Sequence, residues 1–219
     1  MLVPPRRFDP EIMDRPDNDP RELRRALRDL AWVNRRLGGR RALLRALAPH
    51  LARGRTVLDV GTGGGDLVAA MEELGLRVTA VELDPVSARE AAARGPVVRA
   101  DARRLPFATG AFDLVTVSLV LHHFGPPEIP PLLRELRRVA RRAVLVNDLR
   151  RHRIPWAAFG ILARATRRSP MVVHDGPLSI LRGFTESELA DAARAAGAPA
   201  RPRRVWPFRL VLDLPGGGA

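Results

Sequence analysis

Residues 55–66 read RTVLDVGTGGGD, and this stretch decides the fold of the chain. The run 56–60 is apolar and partly β-branched apart from its Asp59, which is typical of a strand buried on both faces of a parallel sheet. Glycines dominate the next five positions, and an amphipathic helix is expected to follow them. Its predicted apolar side carries Leu67, Ala70, Met71 and Leu74. A strand, a glycine turn and a helix in this order leave backbone N–H groups open to a ligand.

The spacing of the glycines separates two kinds of ligand site. A dinucleotide fingerprint, G-x-G-x-x-G, would need glycine where this chain has Asp66. The spacing that fits is D-x-G-x-G-x-G, from Asp59 to Gly65, which resembles the first motif of class I S-adenosylmethionine-dependent methyltransferases. The resemblance implies S-adenosylmethionine as cofactor and S-adenosylhomocysteine as product. Asp59 can accept a hydrogen bond from the cofactor's ammonium group, directly or through water.

Two later strand ends add carboxylates in the expected places. Glu82 ends a second predicted strand about 20 residues after the glycine turn, where an acidic side chain can bond both ribose hydroxyls. Asp101 follows a third strand and can accept a bond from the adenine amine, and the stretch from it, DARRLPFATGAFDLV, resembles the matching segment of small-molecule methyltransferases. The predicted cofactor-binding residues are Asp59, Gly61, Thr62, Gly63, Gly65, Glu82, Leu83, Asp101, Ala102, Ser118 and Leu119.

Composition limits the class of protein. The chain has 219 residues and no cysteine, which excludes disulfides and thiolate metal sites. No apolar run approaches the roughly 20 residues of a membrane span, and the first residues do not read as a signal peptide, so a cytoplasmic bacterial enzyme is expected. All 37 basic residues are arginine, for a net charge of +13. Charge alone supports only non-specific nucleic-acid binding, and arginine without lysine is typical of a GC-rich genome, so we do not expect nucleic acid as the partner.

The chain is expected to form one α/β domain, 1–219, with helices on both faces of a Rossmann-like, mostly parallel seven-stranded sheet. We divide it into an N-terminal helical cap (1–50), a cofactor-binding core (55–148), a substrate-side insertion after the fifth strand (149–184), and a C-terminal helix with two strands (185–219). Asp19 and Pro20 should begin the first helix, with Glu22 completing a capping box. Thr185 and Glu188 should do the same for the last helix.

Candidate catalytic residues are histidines, because transfer to a weakly acidic acceptor benefits from a general base, which is typically histidine. We rank His123 first, since it follows the fourth strand, then His174 in the insertion, then His122. Each could equally be a structural histidine. The predicted substrate-side residues are Asn34, Asn147, Asp148 and Trp156. No metal site is expected, because the histidine pair lacks nearby carboxylates in the sequence.

A wider resemblance covers nearly the whole chain. The segments EIMDRPDNDPRELRRALRDLAWVNR, VTVSLVLHHF, VNDLRRHR and HDGPLS look like small bacterial methyltransferases that accompany type III polyketide synthases. That resemblance implies O-methylation of a phenolic hydroxyl on a polyketide or alkylresorcinol-like molecule. C- or N-methylation of a related metabolite, RNA methylation and a non-catalytic cofactor-binding role stay open as alternatives, and the oligomeric state is not readable.

Overall fold

A computed structural model describes residues 3–52 and 55–218; residues 1 and 2 of the predicted cap and residue 219 lie outside this range. The strands are β1 (Thr56–Val60), β2 (Arg77–Glu82), β3 (Val97–Arg99), β4 (Phe112–Ser118), β5 (Ala140–Leu149), β6 (Arg203–Val205) and β7 (Arg209–Pro215). They form one seven-stranded sheet in the order β3-β2-β1-β4-β5-β7-β6. β1 to β5 pair in parallel, and β7 runs antiparallel to both β5 and β6. The predicted Rossmann-like, mostly parallel sheet is confirmed.

Helices cover both faces of this sheet. They are α1 (Pro20–Arg36), α2 (Gly39–Leu47), α3 (Val68–Glu72), α4 (Pro85–Ala92), α5 (Ile129–Val139), α6 (Arg153–Ala165), α7 (Pro170–Arg182) and α8 (Glu186–Ala195). Residues 3–18 carry no helix or strand. None of the helices in the described ranges combines the length and apolarity that crossing a bilayer would require.

Alternating side chains of the central strands build two separate cores. In β1, Leu58 and Val60 pack in one core with side chains of α5 and α8. Val57 points to the other face and packs in a second core with side chains of α2 and α3. This alternation explains why the strand is apolar on both sides, as a parallel sheet between two helical layers requires.

Capping explains where two of the helices begin. Asp19 accepts a hydrogen bond from the backbone N–H of Arg21 at 2.7 Å, with Pro20 at the first helical position, as predicted. The described contacts include no reciprocal bond from Glu22, so the predicted capping box is wrong there. Thr185 and Glu188 do form the reciprocal box at the start of α8.

Two further local predictions need correction. Leu74 was expected on the apolar side of the helix after the glycine turn, but α3 ends at Glu72 and Leu74 is 38% exposed. The apolar run 143–146 predicts a fifth strand of four residues, whereas β5 runs from Ala140 to Leu149. Asn147 and Asp148 therefore lie within the strand, and both are fully buried.

Candidate active site

The glycine turn forms an open backbone cradle at the end of β1. Gly61 has φ +68°, and a Cβ there would run into the Val120 side chain. The backbone N–H groups of Gly61 and Thr62 donate to the carbonyl of Val81 at 2.8 and 3.1 Å, which fixes the turn against β2. Only glycine combines this conformation with this close approach.

Asp59 lies beneath the turn and is 1% exposed. Its two carboxylate oxygens accept hydrogen bonds from the hydroxyls of Thr62 and Thr116, each at 2.7 Å. Burial raises the pKa of Asp59 to about 6, although both hydroxyls act in the opposite direction. The carboxylate therefore supports the turn from below.

Glu82 lies at the end of β2 and also holds the turn. One carboxylate oxygen accepts the Gly63 N–H at 2.8 Å, and the other accepts the N–H groups of Leu83 and Asp84 at 2.8 and 3.1 Å. Burial raises the pKa of Glu82 against the effect of these three bonds. A carboxylate has about four acceptor sites, so Glu82 keeps acceptor capacity for a hydroxyl group.

The remaining predicted cofactor residues follow the strand ends. Asp101 forms a bidentate ion pair with Arg103, whose shortest N···O distance is 2.7 Å. This hydrogen bond lowers the pKa of Asp101. Ala102 follows it in the same turn. Ser118 ends β4, where its hydroxyl accepts from the side-chain amide of Asn147 at 2.8 Å. Leu119 comes next with φ +61°.

A largely apolar cavity of about 300 Å³ lies beside the end of β4. Its walls come from α1, α6, α7 and the turn before β7. Apolar lining residues include Leu30, Val33, Leu37, Leu119, Ile154, Pro155, Phe159, Leu162, Val172, Ile180 and Phe208. Polar groups reach it from Glu11, His122, His123, Asp175 and Arg209, among others. Of the predicted cofactor-binding residues, Leu119 alone also lines this cavity.

His122 is the most constrained polar group of the cavity. Its Nδ1 lies 2.7 Å from Asp148 Oδ1, and its Nε2 lies 3.7 Å from Glu11 Oε1. Burial would raise the pKa of Asp148, but the charge and hydrogen bond of His122 outweigh it and the net pKa is lowered. An ionised Asp148 accepts from Nδ1–H, so Nε2 is the ring nitrogen that faces Glu11.

His123 stacks against His122, with ring centroids 4.4 Å apart, and its Nδ1 lies 3.1 Å from Asp14. Burial alone would lower the pKa of His123, but Asp14 and Glu11 outweigh it and raise the pKa. The expectation that the histidine pair lacks nearby carboxylates is therefore wrong. Glu11, Asp14 and Asp148 all contact it, two of them from the irregular segment 3–18.

Glu11, His122 and His123 also form the kind of group that could hold a metal ion, because one ligand atom from each lies within 4.8 Å of the others. The guanidinium of Arg182 lies 3.8 Å from Glu11 and 3.7 Å from Asp14. It also donates to the carbonyls of both histidines at 3.1 and 2.9 Å. Arg182 thus already supplies positive charge to these carboxylates, and we assign no metal-dependent step to the cluster.

Other predicted residues lie apart from the cavity wall. His174 bonds Asp175 at 2.7 Å, but its side chain is 54% exposed and does not line the cavity. Trp156 is 44% exposed on α6 and is not among the residues that line the cavity. Asn34 donates to Asp66 at 3.3 Å, and Asn147 is buried between Ser118 and α2.

Three cavity residues carry no signal that sequence reasoning could use. Glu11 lies in a segment without helical or strand periodicity, and Asp175 precedes Gly176 in what reads as a turn. Asp175 in fact lies within α7, where its carboxylate accepts the N–H groups of Ile12 and Met13, each at 2.9 Å. Arg209 is one arginine among 37 basic residues.

Comparison with known proteins finds one family model that matches part of the chain. Residues 58–146 match the family model described as a methyltransferase domain. This segment begins in β1 and ends in β5, so it includes the glycine turn, Glu82, Asp101 and both histidines of the cavity. Residues 58–146, which are less than half of the chain, are thus similar to a methyltransferase domain.

Individual relatives match only part of this chain. A demethylmenaquinone methyltransferase of Thermus thermophilus is 36% identical over 119 residues, which cover 50% of this chain and 53% of the relative. The chain thus spans about half the length of such curated relatives.

Two solved structures share the fold. A methyltransferase from Aquifex aeolicus aligns with a TM-score of 0.65 and 18% identity over 91% of this chain and 99% of its own. A 1,6-didemethyltoxoflavin-N1-methyltransferase from Burkholderia thailandensis aligns with a TM-score of 0.61 and 24% identity over 93% and 92%. At these identities the likeness establishes the fold alone.

Proposed function

We propose that the chain is an S-adenosylmethionine-dependent methyltransferase that O-methylates a phenolic hydroxyl of a small, largely apolar molecule. The observation that carries this proposal is the position of the His122–Asp148 pair, at the wall of an apolar cavity beside the end of β4. The carboxyl ends of strands are where an open α/β sheet binds its ligands. The cytoplasmic location, the single-domain division and the polyketide-like substrate stay predictions.

The cofactor fits the residues present. The backbone cradle at Gly61 has no room for a Cβ, the buried Asp59 places negative charge beneath it, and Glu82 keeps an acceptor for a ribose hydroxyl. When bound, S-adenosylmethionine supplies an activated methyl carbon for in-line displacement. The chain must align the acceptor, remove a proton and exclude water.

His122 is better suited than His123 to remove that proton. Asp148 holds its Nδ1–H, so Nε2 is available to accept a proton in the cavity. His123 is more exposed, and its Nδ1 faces Asp14 at 3.1 Å, so it lacks the buried positioning partner that His122 has in Asp148. We therefore assign His122 as the base, Asp148 as the residue that positions it, and His123 as a neighbouring ring held by Asp14.

The matched pair His122→Asn and His123→Asn tests this assignment. We expect the first variant to lower kcat by at least about 100-fold, because a positioned general base contributes about 100-fold or more. The second variant should lower kcat by less than about tenfold, because His123 is not the proposed base. Single-turnover rates at saturating cofactor would check the chemical step. Equal losses in both variants, or a larger loss in the second, would contradict the assignment.

The reaction itself is tested with S-adenosylmethionine that carries a deuterated methyl group. Purified protein is incubated with it and with simple resorcinols, and the position of the label is read by mass spectrometry and NMR. Label on an oxygen supports the proposal. The variant Gly61→Val, whose side chain would collide with Val120, serves as the control that should lose cofactor binding.

C-methylation of a quinol ring is the second candidate, because demethylmenaquinone methyltransferases of Thermus thermophilus and Beutenbergia cavernae are among the relatives. A quinol offers a phenolic hydroxyl that the same base could deprotonate, which would place charge on a ring carbon. The same experiment with a naphthoquinol decides between the two, since label on a ring carbon would favour this candidate.

A further inference from the structure

Arg209 lies in the cavity without a partner of its own. The residue is 3% exposed and is one of the residues that line the cavity. Its Nη1 is buried and has no hydrogen-bond partner among residues 3–52 and 55–218. A buried, unpaired cation is costly, so such groups normally have an anion beside them.

The nearest carboxylates do not fill this role. Asp148 and Asp66 are the acidic groups whose charge Arg209 senses. Asp148 is bonded to His122, and Asp66 accepts from Asn34. Burial lowers the pKa of Arg209 to about 10, at which the group still keeps its proton at neutral pH.

The start of α2 faces the same guanidinium. This nine-residue helix begins at Gly39, and no side chain caps it. A Cβ on Gly39 would lie 3.1 Å from Arg209 Nη2 and would collide with Asn34 Oδ1. The absence of a side chain thus lets the arginine approach an uncapped helix N-terminus, where the backbone N–H groups and the helix dipole favour an anion.

We propose that Arg209 and the start of α2 form a carboxylate-binding subsite, so that the acceptor is an aromatic acid with its ring in the apolar cavity. A guanidinium matches the planar carboxylate with two parallel bonds, which a lysine cannot do. This proposal rests on the proposed function, because it names the substrate class of the same cavity. It places the hydroxyl near His122 and the acidic group at Arg209.

A carboxylate could also come from the methionine part of the cofactor. The lining of the cavity favours the acceptor, because Arg209 shares it with α6, α7 and His122, whereas Gly61, Gly63 and Glu82 do not line it. The experiment therefore measures both ligands separately.

The test compares two probes of the same shape, 2,4-dihydroxybenzoate and 2,4-dihydroxybenzamide, by calorimetry with saturating S-adenosylhomocysteine. We expect the wild-type protein to bind the acid at least about tenfold more tightly than the amide, as a charge-assisted bond predicts. In Arg209→Met this preference should vanish while amide binding is unchanged. Arg28→Met, on the exposed side of α1, should keep the full preference.

Two further readouts separate the explanations. Affinity for S-adenosylhomocysteine in Arg209→Met should stay within about twofold of wild type. The unfolding midpoint of the free variant should not fall, because an unpaired buried charge is removed. A tenfold loss of cofactor affinity would assign the arginine to the cofactor, and a lowered midpoint with loss of both probes would make it structural.

Either of those results overturns the proposal, as does equal or unmeasurable binding of acid and amide by the wild-type protein. The proposed function fails in a different way, through absent S-adenosylhomocysteine binding or absent methyl transfer. The acid-to-amide ratio does not depend on methyl transfer, and it can also be measured on the free protein without S-adenosylhomocysteine.

Discussion

At the level of single residues, the burial of Asp59 beneath the cofactor turn makes the stability of the fold depend on pH. Its pKa is about 6 in the folded chain, against 3.8 for an ordinary aspartate. A carboxyl group whose pKa is raised by folding favours the folded state below pH 4, and this contribution is lost as pH rises through 6. The difference corresponds to about 3 kcal/mol of unfolding free energy.

We therefore expect Asp59→Asn to change how stability depends on pH. Between pH 4 and pH 7 the wild-type protein should lose up to about 3 kcal/mol more unfolding free energy than the variant, which cannot ionise there. Urea unfolding at several pH values would measure this. Parallel curves for the two proteins would show that the carboxyl group is not perturbed.

The cluster of Glu11, His122 and His123 gives a second prediction at this scale. Because Arg182 already lies near Glu11 and Asp14, we expect methyl transfer to be unchanged, within about twofold, after dialysis against EDTA. Activity assays before and after dialysis, with metal content by mass spectrometry, would check it. A loss that one divalent cation restores would instead identify a metal site.

At the level of elements, α6 and α7 shape the cavity by packing closely on each other. A Cβ on Gly176 of α7 would lie well inside contact distance of the Phe159 ring on α6, and both residues line the cavity. Gly160 of α6 provides the matched control position, because a Cβ there would lie 3.3 Å from the flexible end of the Arg164 side chain.

We expect Gly176→Ala to displace Phe159 and raise the acceptor KM at least about fivefold, with cofactor affinity unchanged, because overpacking costs about 1–3 kcal/mol. Gly160→Ala should leave both constants near wild type. Steady-state kinetics and calorimetry would measure these changes. Equal effects of the two variants would show that the helix contact does not shape the cavity.

Local signals explain which elements the sequence could predict. The apolar run of β1 and the Thr185–Glu188 capping box each lie within a few consecutive residues, so both can be recognised in the sequence. β5 begins with Ala140-Arg141-Arg142, whose exposed arginines hide its first residues from a search for apolar runs. The site was harder, because Glu11 and Arg209 reach the cavity through contacts that no spacing encodes.

At the level of the whole molecule, the net charge is +13, and many of the arginines form ion pairs with nearby carboxylates. Arg138 pairs with Glu135 at 2.8 Å, and both Arg141 and Arg142 lie 3.4 Å from Asp113. Such pairs leave a diffuse excess of positive charge, which attracts polyanions without specificity.

We accordingly expect RNA binding to be weak and to disappear between about 50 and 200 mM salt, as counterion release predicts. Methyl transfer to the small acceptor should vary by less than about twofold over the same range, because buried charges are screened less. Gel shifts and counting of transferred label would measure the two. Label in RNA would instead favour nucleic-acid methylation.

The irregular segment 3–18 is joined to α7 by bonds that cross 163 residues of sequence, as between Ile12 and Asp175. During synthesis on the ribosome this segment emerges before α7, its docking partner, which follows all five parallel strands. The bonds between this segment and Asp175 can therefore form only after those strands have been made. A chain that stops before residue 170 would keep the residues of the cofactor turn and lack the part of the cavity wall that α7 supplies.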